Sequence, residues 1–570
     1  MRYYALATDY DNTLATDGFV SDRTVIALER VQRSGRKLIL VTGRELPDLQ
    51  HFFPRLDLFE RVVAENGALL YRPATREEKR LCDSPSQELI TLLRQRHVAP
   101  LAVGQCIIST WKPHEVTVLE AIRDLGLSLQ VIFNKDAVMI LPSGVNKASG
   151  LKAALKELNL SPHNVVGIGD AENDYALLQL CECAVAVGNA VPKLKEIADW
   201  VTPGEYGTGV VELIERLLAS DLRDLESRLT RHEILLGVRP DDQEVRLNPY
   251  GPNLLIAGVS GGGKTTLAAA FVERLVEQGY QLCLIDPEGD YQEVTGAVVL
   301  GSSKRAPSVN EVIQLLEQPD QNTVVNLLGI SLADRPLFFN KLFPALLKLR
   351  TQVGRPHWLI IDEAHHLLPA AWGTIPLTLP PTLHGLGLVT VQPERVAPAM
   401  LDLIDLVLAI GPTSEQTLSA FGHAIGETVP ATPQVSLQQS EVLAWPRRPA
   451  NEPFWFRAHP PQTTRQRHLR KYAEGEMTPD RVFYFRGPQR ELNLRAQNLI
   501  TFIQIAEGID DRTWLYHLRR GDYSRWFGEA VNDEELAAET KSIEHRLDLS
   551  PRESRSLIKD FIEARYTGAA

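Results

Sequence analysis

Two groups of residues in this chain have the types and spacing to handle phosphate. The first opens in "ATDYDNTLATDG", where Asp9 and Asp11 stand at i and i+2 just after an apolar run. On an extended chain that spacing sends both side chains to the same side. At the end of a strand they would open into the crevice beyond the carboxyl edge of a parallel sheet. Further candidates follow at three more expected strand ends: Thr42 in "LVTGRE", Lys147 in "GVNKASGL", and Asp170, Asn173 and Asp174 in "VGIGDAENDYALL". Together they supply a nucleophile, a hydroxyl and a cation for phosphate oxygens, and a carboxylate cluster for a hard divalent ion such as Mg2+.

The second group is "LLIAGVSGGGKTTLAAAF". Gly258, Val259, Ser260, Gly261, Gly262, Gly263, Lys264 and Thr265 satisfy G-x-x-x-x-G-K-[ST], with Thr266 next in line. Such a loop wraps backbone N–H groups around phosphates at a helix N-terminus, where the dipole favours anions. Lys264 is expected to reach the β- and γ-phosphates of ATP, and the Thr265 hydroxyl to bind Mg2+. The apolar run "HWLII" ends in Asp362-Glu363, a Walker B arrangement with Asp362 on the metal and Glu363 activating water. Gln392, at the end of "LVTVQ", is a polar sensor candidate beside the γ-phosphate.

These residues need sheets to hold them. Short β-branched runs alternate with helix-length segments twice. The first series is "YYALATDYD", "KLILVTG", "RVVAENGALLY", "AVMILPSG", "NVVGIGD" and "CAVAVG". The second is "NLLIAGV", "QLCLIDPEGD", "TVVNLLG", "HWLIIDE", "LGLVTVQ" and "LVLAIG". Runs of this kind read as parallel strands buried on both faces, hence two tandem α/β sheets. The charged stretch from 218 to 237 reads as a helical connector, and "PRRPANEPFWFRAHPPQTTRQR" marks another boundary. The remainder is mostly helical in pattern, and Ser550 to Glu553 has capping-box spacing with Pro at the first helical position. In "DRTWLYHLRRGDYSRWFGEA" aromatics interleave with arginines, a composition that can stack bases. Trp514 and Leu518 lie i, i+4, however, so a buried helix face explains them more cheaply.

Composition narrows the class. A chain of 570 residues is too long for one core. No apolar run is long enough to span a membrane, and the N-terminus does not resemble a secretory signal, so a cytoplasmic location is expected. Five cysteines make no disulfide framework, and the Cys181/Cys183 pair lacks partners for a zinc site, so they read as buried structural residues. A net charge of −12 gives no global pull toward nucleic acid, although a local basic groove is compatible with it.

The four motifs of the first group, in this order, together with "AENGALLY" and "AVAVGNAVPKLKEIADWVT", resemble the haloacid dehalogenase (HAD) superfamily, in particular its Cof-type, type IIB phosphatases. The resemblance spans residues 1 to about 218. It implies that Asp9 attacks phosphorus, Asp11 protonates the leaving oxygen and then activates water, and Thr42 and Lys147 hold phosphoryl oxygens. It also implies Mg2+ on Asp9, the Asp11 carbonyl and Asp170, with Asp174 close by. Substrate choice would lie in a small α+β cap, about 72–140, shorter than is usual in that branch and leaving a more open site.

Residues 228 to about 425, including "LIDPEGDYQEV", resemble the HerA/FtsK-like ATPases, which implies a RecA-like fold and a hexameric ring completed by a neighbour's arginine. Arg395 is one candidate for such an arginine. The letters D-E-A-H at 362–365 also occur in helicases, but the other helicase motifs and a second motor sheet are absent from the sequence. His365 and His366 point about 100° apart on a helix and read as surface or packing residues.

The expected architecture is a HAD-type domain (1–218), a P-loop domain (228–450) and a mainly helical accessory domain (451–570). The expected function is a Mg2+-dependent phosphomonoesterase joined to a ring ATPase with translocase character, acting on a phosphorylated substrate and compatible with nucleic acid, without a membrane. The alternatives are an end-processing enzyme like the polynucleotide kinase–phosphatases, or an ATP-binding regulatory scaffold.

Overall fold

The computed structural model describes residues 1–134, 136–259, 261–292, 294–370, 383–433, 437–438, 440–448, 451–461, 482–489, 491–531, 533–546 and 548–566. Ser260 and parts of the Pro- and Arg-rich boundary lie outside them.

The first sheet runs in the order Trp200–Val201, Cys183–Ala186, Val165–Gly169, Ala5–Thr8, Lys37–Val41, Arg61–Ala64, Leu69–Arg72 and Glu77–Arg80. Its first six strands are parallel and the last two antiparallel. The central strands are buried along their length, as expected where helices cover both faces. Two of the expected parallel strands behave otherwise. "RVVAENGALLY" folds back at Glu65–Gly67 into an antiparallel pair, because Glu65 and Asn66 take left-handed backbone angles. "AVMILPSG" leaves the sheet altogether. It forms Ala137–Pro142 of a separate four-stranded antiparallel cap, with Ala102–Val103, Ile108–Trp111 and Leu129–Asn134, backed by the helices Gln87–Gln95 and Glu115–Asp124.

The second sheet has seven parallel strands, in the order Leu406–Ile410, Leu254–Ala257, Leu386–Thr390, Trp358–Ile361, Leu282–Asp286, Asn322–Asn326 and Ala297–Leu300. Four antiparallel strands extend it beyond Leu406–Ile410: Glu441–Pro446, Phe454–Ala458, Ile234–Val238 and Glu244–Leu247. The stretch from 218 to 237 is therefore only partly helical. The helix Tyr206–Ser220 stops at Asp221, which is left-handed, and a 3-10 turn leads into the strand Ile234–Val238. The sheet also reaches past residue 450, through Phe454–Ala458.

The C-terminal region combines a two-stranded hairpin, Phe483–Phe485 with Leu494–Ala496, and five helices among the described residues. Its core contains Trp514, Leu518, Tyr523 and Phe527, so the aromatics of "DRTWLYHLRRGDYSRWF" go largely to packing. The Ser550 hydroxyl accepts the Glu553 N–H and the Glu553 carboxylate accepts the Ser550 N–H, as a capping box requires. All five cysteines are free, and Cys181 and Cys183 are buried. Among the described residues no helix is long and apolar enough to cross a membrane.

The two α/β sheets meet through a buried polar junction. Glu182 accepts from Arg2 Nη2 at 2.6 Å and Tyr280 Oη at 2.8 Å, and lies 2.7 Å from His163 Nδ1. The His163 ring stacks on Tyr280 at 3.8 Å, and its Nε2 reaches the Gln278 carbonyl at 2.8 Å. Alongside, Asn164 Oδ1 lies 3.2 Å from His357 Nε2, Arg355 donates to the Asn159 carbonyl at 2.7 Å, and Tyr4 Oη donates to the carbonyls of Arg350 and Thr351. Burial alone would raise the Glu182 pKa; the His163 hydrogen bond and the Arg2 charge instead hold it well below the ordinary carboxylate value of 4.5.

A carboxyl with a depressed folded-state pKa adds stability above its unfolded pKa and loses it as pH falls toward the folded value. Glu182 is therefore expected to stabilise the chain fully above about pH 4.5 and progressively less below. Removing it leaves the buried Arg2 only the more exposed Glu226, 3.9 Å away, as counter-charge. Glu182→Gln is expected to cost about 3–5 kcal/mol in denaturant unfolding at pH 7, and the gap to the wild type should narrow at acid pH.

Candidate active sites

At the carboxyl edge of the first sheet, the strand Ala5–Thr8 delivers Asp9 and the adjacent strand Val165–Gly169 delivers Asp170. Lys147 comes differently from the sequence expectation. It opens the helix Lys147–Glu157, which is reached from the cap strand and capped by a box between Asn146 and Ser149. Its fully buried Nζ donates to Asp9 Oδ1 at 2.5 Å and to Asp174 Oδ1 at 2.6 Å. The second Asp174 oxygen accepts the N–H groups of Asp170 and Ala171 at 3.0 and 3.1 Å. Carboxylate oxygens of Asp9, Asp170 and Asp174 lie within 4.8 Å of one another, all buried. Burial, then the charge of Asp174, pushes the Asp9 pKa well up against the pull of Lys147. One ammonium among three buried carboxylates leaves a surplus of negative charge, which fits a hard divalent cation held by oxygen.

Thr42 is buried at the end of the neighbouring strand, and Asn173 is anchored by its amide to Asn66 Oδ1 at 3.2 Å. Asp11 turns outward, where Arg44 grips both its oxygens at 2.7–3.0 Å. Two neighbours of the site escaped the sequence reading. Arg44 was in view in "TGRE" but carried no role, and Thr13, buried two residues beyond Asp11, contacts Asp170 Oδ1 at 3.5 Å.

The turn Glu65–Gly67 joins core to cap. The buried Glu65 carboxylate accepts N–H groups of Gln105, Cys106 and Ile107 at 2.7–3.2 Å, fastening the cap. Gly67 has φ +106°, and a Cβ there would fall 1.9 Å from the Asn146 carbonyl, directly behind Lys147. Over the site, a Cβ on Gly43 would lie 2.9 Å from the Met139 methyl of the cap. The cap sheet thus roofs the Thr42 loop.

The second site lies at the carboxyl edge of the second sheet. The strand Leu254–Ala257 feeds the glycine loop and the helix Lys264–Glu277, whose N-cap Gly263 takes φ +101°. Lys264 is buried and donates to the Val259 carbonyl at 3.1 Å, curling over its own loop. Gly258, Gly261 and Gly262 complete the loop, with Thr265 half-buried and Thr266 exposed at the helix start. Asp362 is buried at the end of Trp358–Ile361; burial, then the charge of Glu363, pushes its pKa well up, and its Oδ1 accepts the Glu363 N–H at 2.9 Å. Strand order places Leu386–Thr390 between the glycine-loop strand and the Asp362 strand, so Gln392 emerges between the two phosphate elements. Arg395 is exposed in the 3-10 turn that follows, and its charge reaches His365 and His366 of its own chain. Asp286 had no role in the sequence reading. Its buried carboxylate caps the "DPEGDY" turn through the amides of Gly289, Asp290 and Tyr291, with a pKa raised to about 6 by burial and by Asp290.

Comparison with known proteins bears on both sites. A family profile described as haloacid dehalogenase-like hydrolase matches residues 6–109 and 100–214. The phosphoglycolate phosphatase 2 of Saccharolobus solfataricus is 32% identical over 225 residues, spanning 38% of this chain and 93% of that protein. The chain belongs to the haloacid dehalogenase-like hydrolases. A second relative of this hydrolase, the phosphoglycolate phosphatase of Methanothermobacter thermautotrophicus, is 31% identical over 222 residues, covering 38% of this chain and 98% of that protein. A solved haloacid dehalogenase-like hydrolase from Bacteroides thetaiotaomicron aligns at 21% identity and TM-score 0.34, over 38% of this chain and 99% of its own. A profile described as the central domain of helicase HerA matches residues 243–347, so the hydrolase carries a HerA-type P-loop domain behind its phosphatase fold.

The clash behind Lys147 makes a separable test. In the hydrolase, Gly67→Ala must displace the Asn146–Lys147 backbone, and a misplacement near 1 Å costs on the order of 100-fold in rate. Phosphatase turnover should fall by about that factor, while nucleotide binding at the glycine loop, followed by fluorescent ATP titration, stays at the wild-type level.

Proposed function

We propose that this chain is a bifunctional, Mg2+-dependent phosphomonoester phosphatase and ATP-hydrolysing ring protein. The observation that carries the first half is the buried Lys147 bridge between Asp9 and Asp174 beside Asp170. Asp9 lies at a strand end beneath the cap, placed to attack phosphorus and form an aspartyl-phosphate. Lys147 and Thr42 hold the phosphoryl oxygens. Asp11, swung from Arg44 toward the leaving group, donates the proton and then takes one from water. Asp9, the Asp11 carbonyl and Asp170, with Asp174 behind them, would hold Mg2+, which neutralises charge on the transferring phosphoryl group. The relatives' names make phosphoglycolate the first substrate to try.

In the second half, Lys264 and the glycine loop bind the ATP phosphates, with Thr265 and Asp362 on the metal. Glu363 activates water, with Gln392 beside the γ-phosphate. Similarity to the HerA central domain favours a homo-oligomeric, hexameric ring that moves nucleic acid. Five free cysteines suit a reducing cytoplasm.

Release of phosphate from phosphoglycolate, sugar phosphates, nucleotides and phosphorylated nucleic-acid ends tests the phosphatase, with chelation expected to abolish it. Asp9→Asn should reduce turnover to background while Lys264→Ala leaves it largely intact; retention of turnover by Asp9→Asn would sink the covalent route. Glu363→Gln should bind ATP without hydrolysing it. A strict need for a phosphate acceptor would instead favour a kinase–phosphatase.

A further inference from the structure

A short hairpin turn follows Asp11, and its outer face serves no step of the phosphatase chemistry. Asp17 and Gly18 both take left-handed backbone angles, φ +50° and +83°, and Thr16 and Phe19 exchange backbone hydrogen bonds at 3.0 Å in both directions. This is the two-residue turn that needs positive φ at both central positions. The buried Tyr10 hydroxyl donates to the Gly18 carbonyl at 2.7 Å and pins the turn from beneath. So held, the turn presents Phe19 to solvent, 65% exposed.

One exposed phenylalanine is ordinary. This one is tied by its neighbours to the reacting end of the site. Its ring lies 5.8 Å from that of Phe52, edge to face, and Phe52 is itself only half-buried at the end of the helix Leu46–Phe52. The Arg44 guanidinium lies 4.8 Å from the Phe52 ring centre. A Cβ on Gly18 would meet Arg44 Nη2 at 3.3 Å and the Phe52 ring at 3.4 Å, so the turn sits against both. The same guanidinium grips Asp11 through Nε and Nη2, while its Nη1 donates to Asp48 at 2.9 Å. Asp11, Arg44, Phe52 and Phe19 thus form a continuous line from the proton donor to the surface, and all four belong to the core rather than the cap.

The leaving group takes its proton from Asp11, so it starts at one end of this line. A planar guanidinium followed by two aromatic rings suits another flat π-system, and nucleobases stack on both kinds of surface. A glycolate or glycerol leaving group has nothing with which to cover Phe19. When Asp11 turns to its task, the Nε and Nη2 hydrogens of Arg44 need new acceptors, which a base carbonyl or an adjoining phosphodiester supplies.

Resting on the phosphatase reading above, we infer that the substrate is a nucleotide: the leaving group is a nucleoside, free or at the end of a single strand, whose base stacks on Phe19 and Phe52 beside Arg44. Asp9 takes the phosphoryl group, the nucleoside oxygen leaves with the Asp11 proton, and water then releases inorganic phosphate from Asp9. Phe19 selects the substrate and takes no part in the chemical step.

The test uses the full chain and measures phosphate release from AMP, a 5′-phosphorylated single-stranded oligonucleotide, glycerol phosphate and phosphoglycolate. AMP has no γ-phosphate, so its turnover does not report on the glycine loop. One of the two nucleotide substrates is expected to give the highest kcat/KM, and which of them leads tells a free nucleotide from a strand end. Phe19→Ala should lower the ratio of kcat/KM for that nucleotide to kcat/KM for glycerol phosphate roughly 10-fold, the scale of one lost stack. Phe19→Trp should keep the ratio. A higher kcat/KM for glycerol phosphate or phosphoglycolate than for both nucleotides, an unchanged ratio in Phe19→Ala, or equal loss on all four substrates would overturn the proposal. Wild-type protein that releases phosphate from none of them, indistinguishable from Asp9→Asn, would overturn the phosphatase reading as well; turnover of glycerol phosphate with an unchanged ratio in Phe19→Ala would remove only this proposal.

Discussion

Glu182 is a carboxylate with no access to water, and its burial is tolerable only because Arg2, His163 and Tyr280 all converge on it. Arg2 comes from the first residues of the chain, His163 from the turn before a central strand of the first sheet, and Tyr280 from the turn before a strand of the second. Desolvating a carboxylate is expensive, and the cost is offset only when every partner is in place. The junction therefore specifies one relative arrangement of the two sheets, because sliding them would strand a buried charge.

That arrangement has a direction. Asn164, which immediately precedes Val165–Gly169, meets His357, which immediately precedes Trp358–Ile361. The strand that ends in Asp170 and the strand that ends in Asp362 thus touch at their amino ends. Each acidic residue lies five or six residues beyond the junction, roughly 15–20 Å at the rise of an extended strand. Both candidate sites lie at the ends of their strands opposite the shared base.

The two sites solve the same electrostatic problem by different means. In the first, an ammonium is buried among three carboxylates, and the helix start that carries it is pressed against Gly67. In the second, backbone amides do the equivalent work: Asp286 is satisfied by three successive N–H groups rather than by a cation. Each device needs a backbone approach that a Cβ would obstruct, which explains why glycines flank both sites.

Much of this was legible from residues alone, because strand-end motifs encode chemistry locally. Asp9, Lys147, Asp170 and Asp174 lie together at one sheet edge, and a strand, a glycine loop and a helix follow one another where the residue pattern suggested. Periodicity failed where partners are distant. "AVMILPSG" is as apolar as any core strand, yet it belongs to the cap, since a run of buried residues does not say which sheet buries it. His365 read as helix surface or packing, and its hydrogen bond to Thr390 was out of view because Thr390 is 25 residues away in sequence. Arg2, Glu182 and Tyr280 carried no local signal at all. The sequence by itself determined which residues have the types and spacing suited to phosphate and metal, since that suitability depends on side-chain type and short spacing. Only the tertiary structure decided how the sheets join and which sheet each apolar run enters, because those depend on buried contacts between segments that no spacing rule connects.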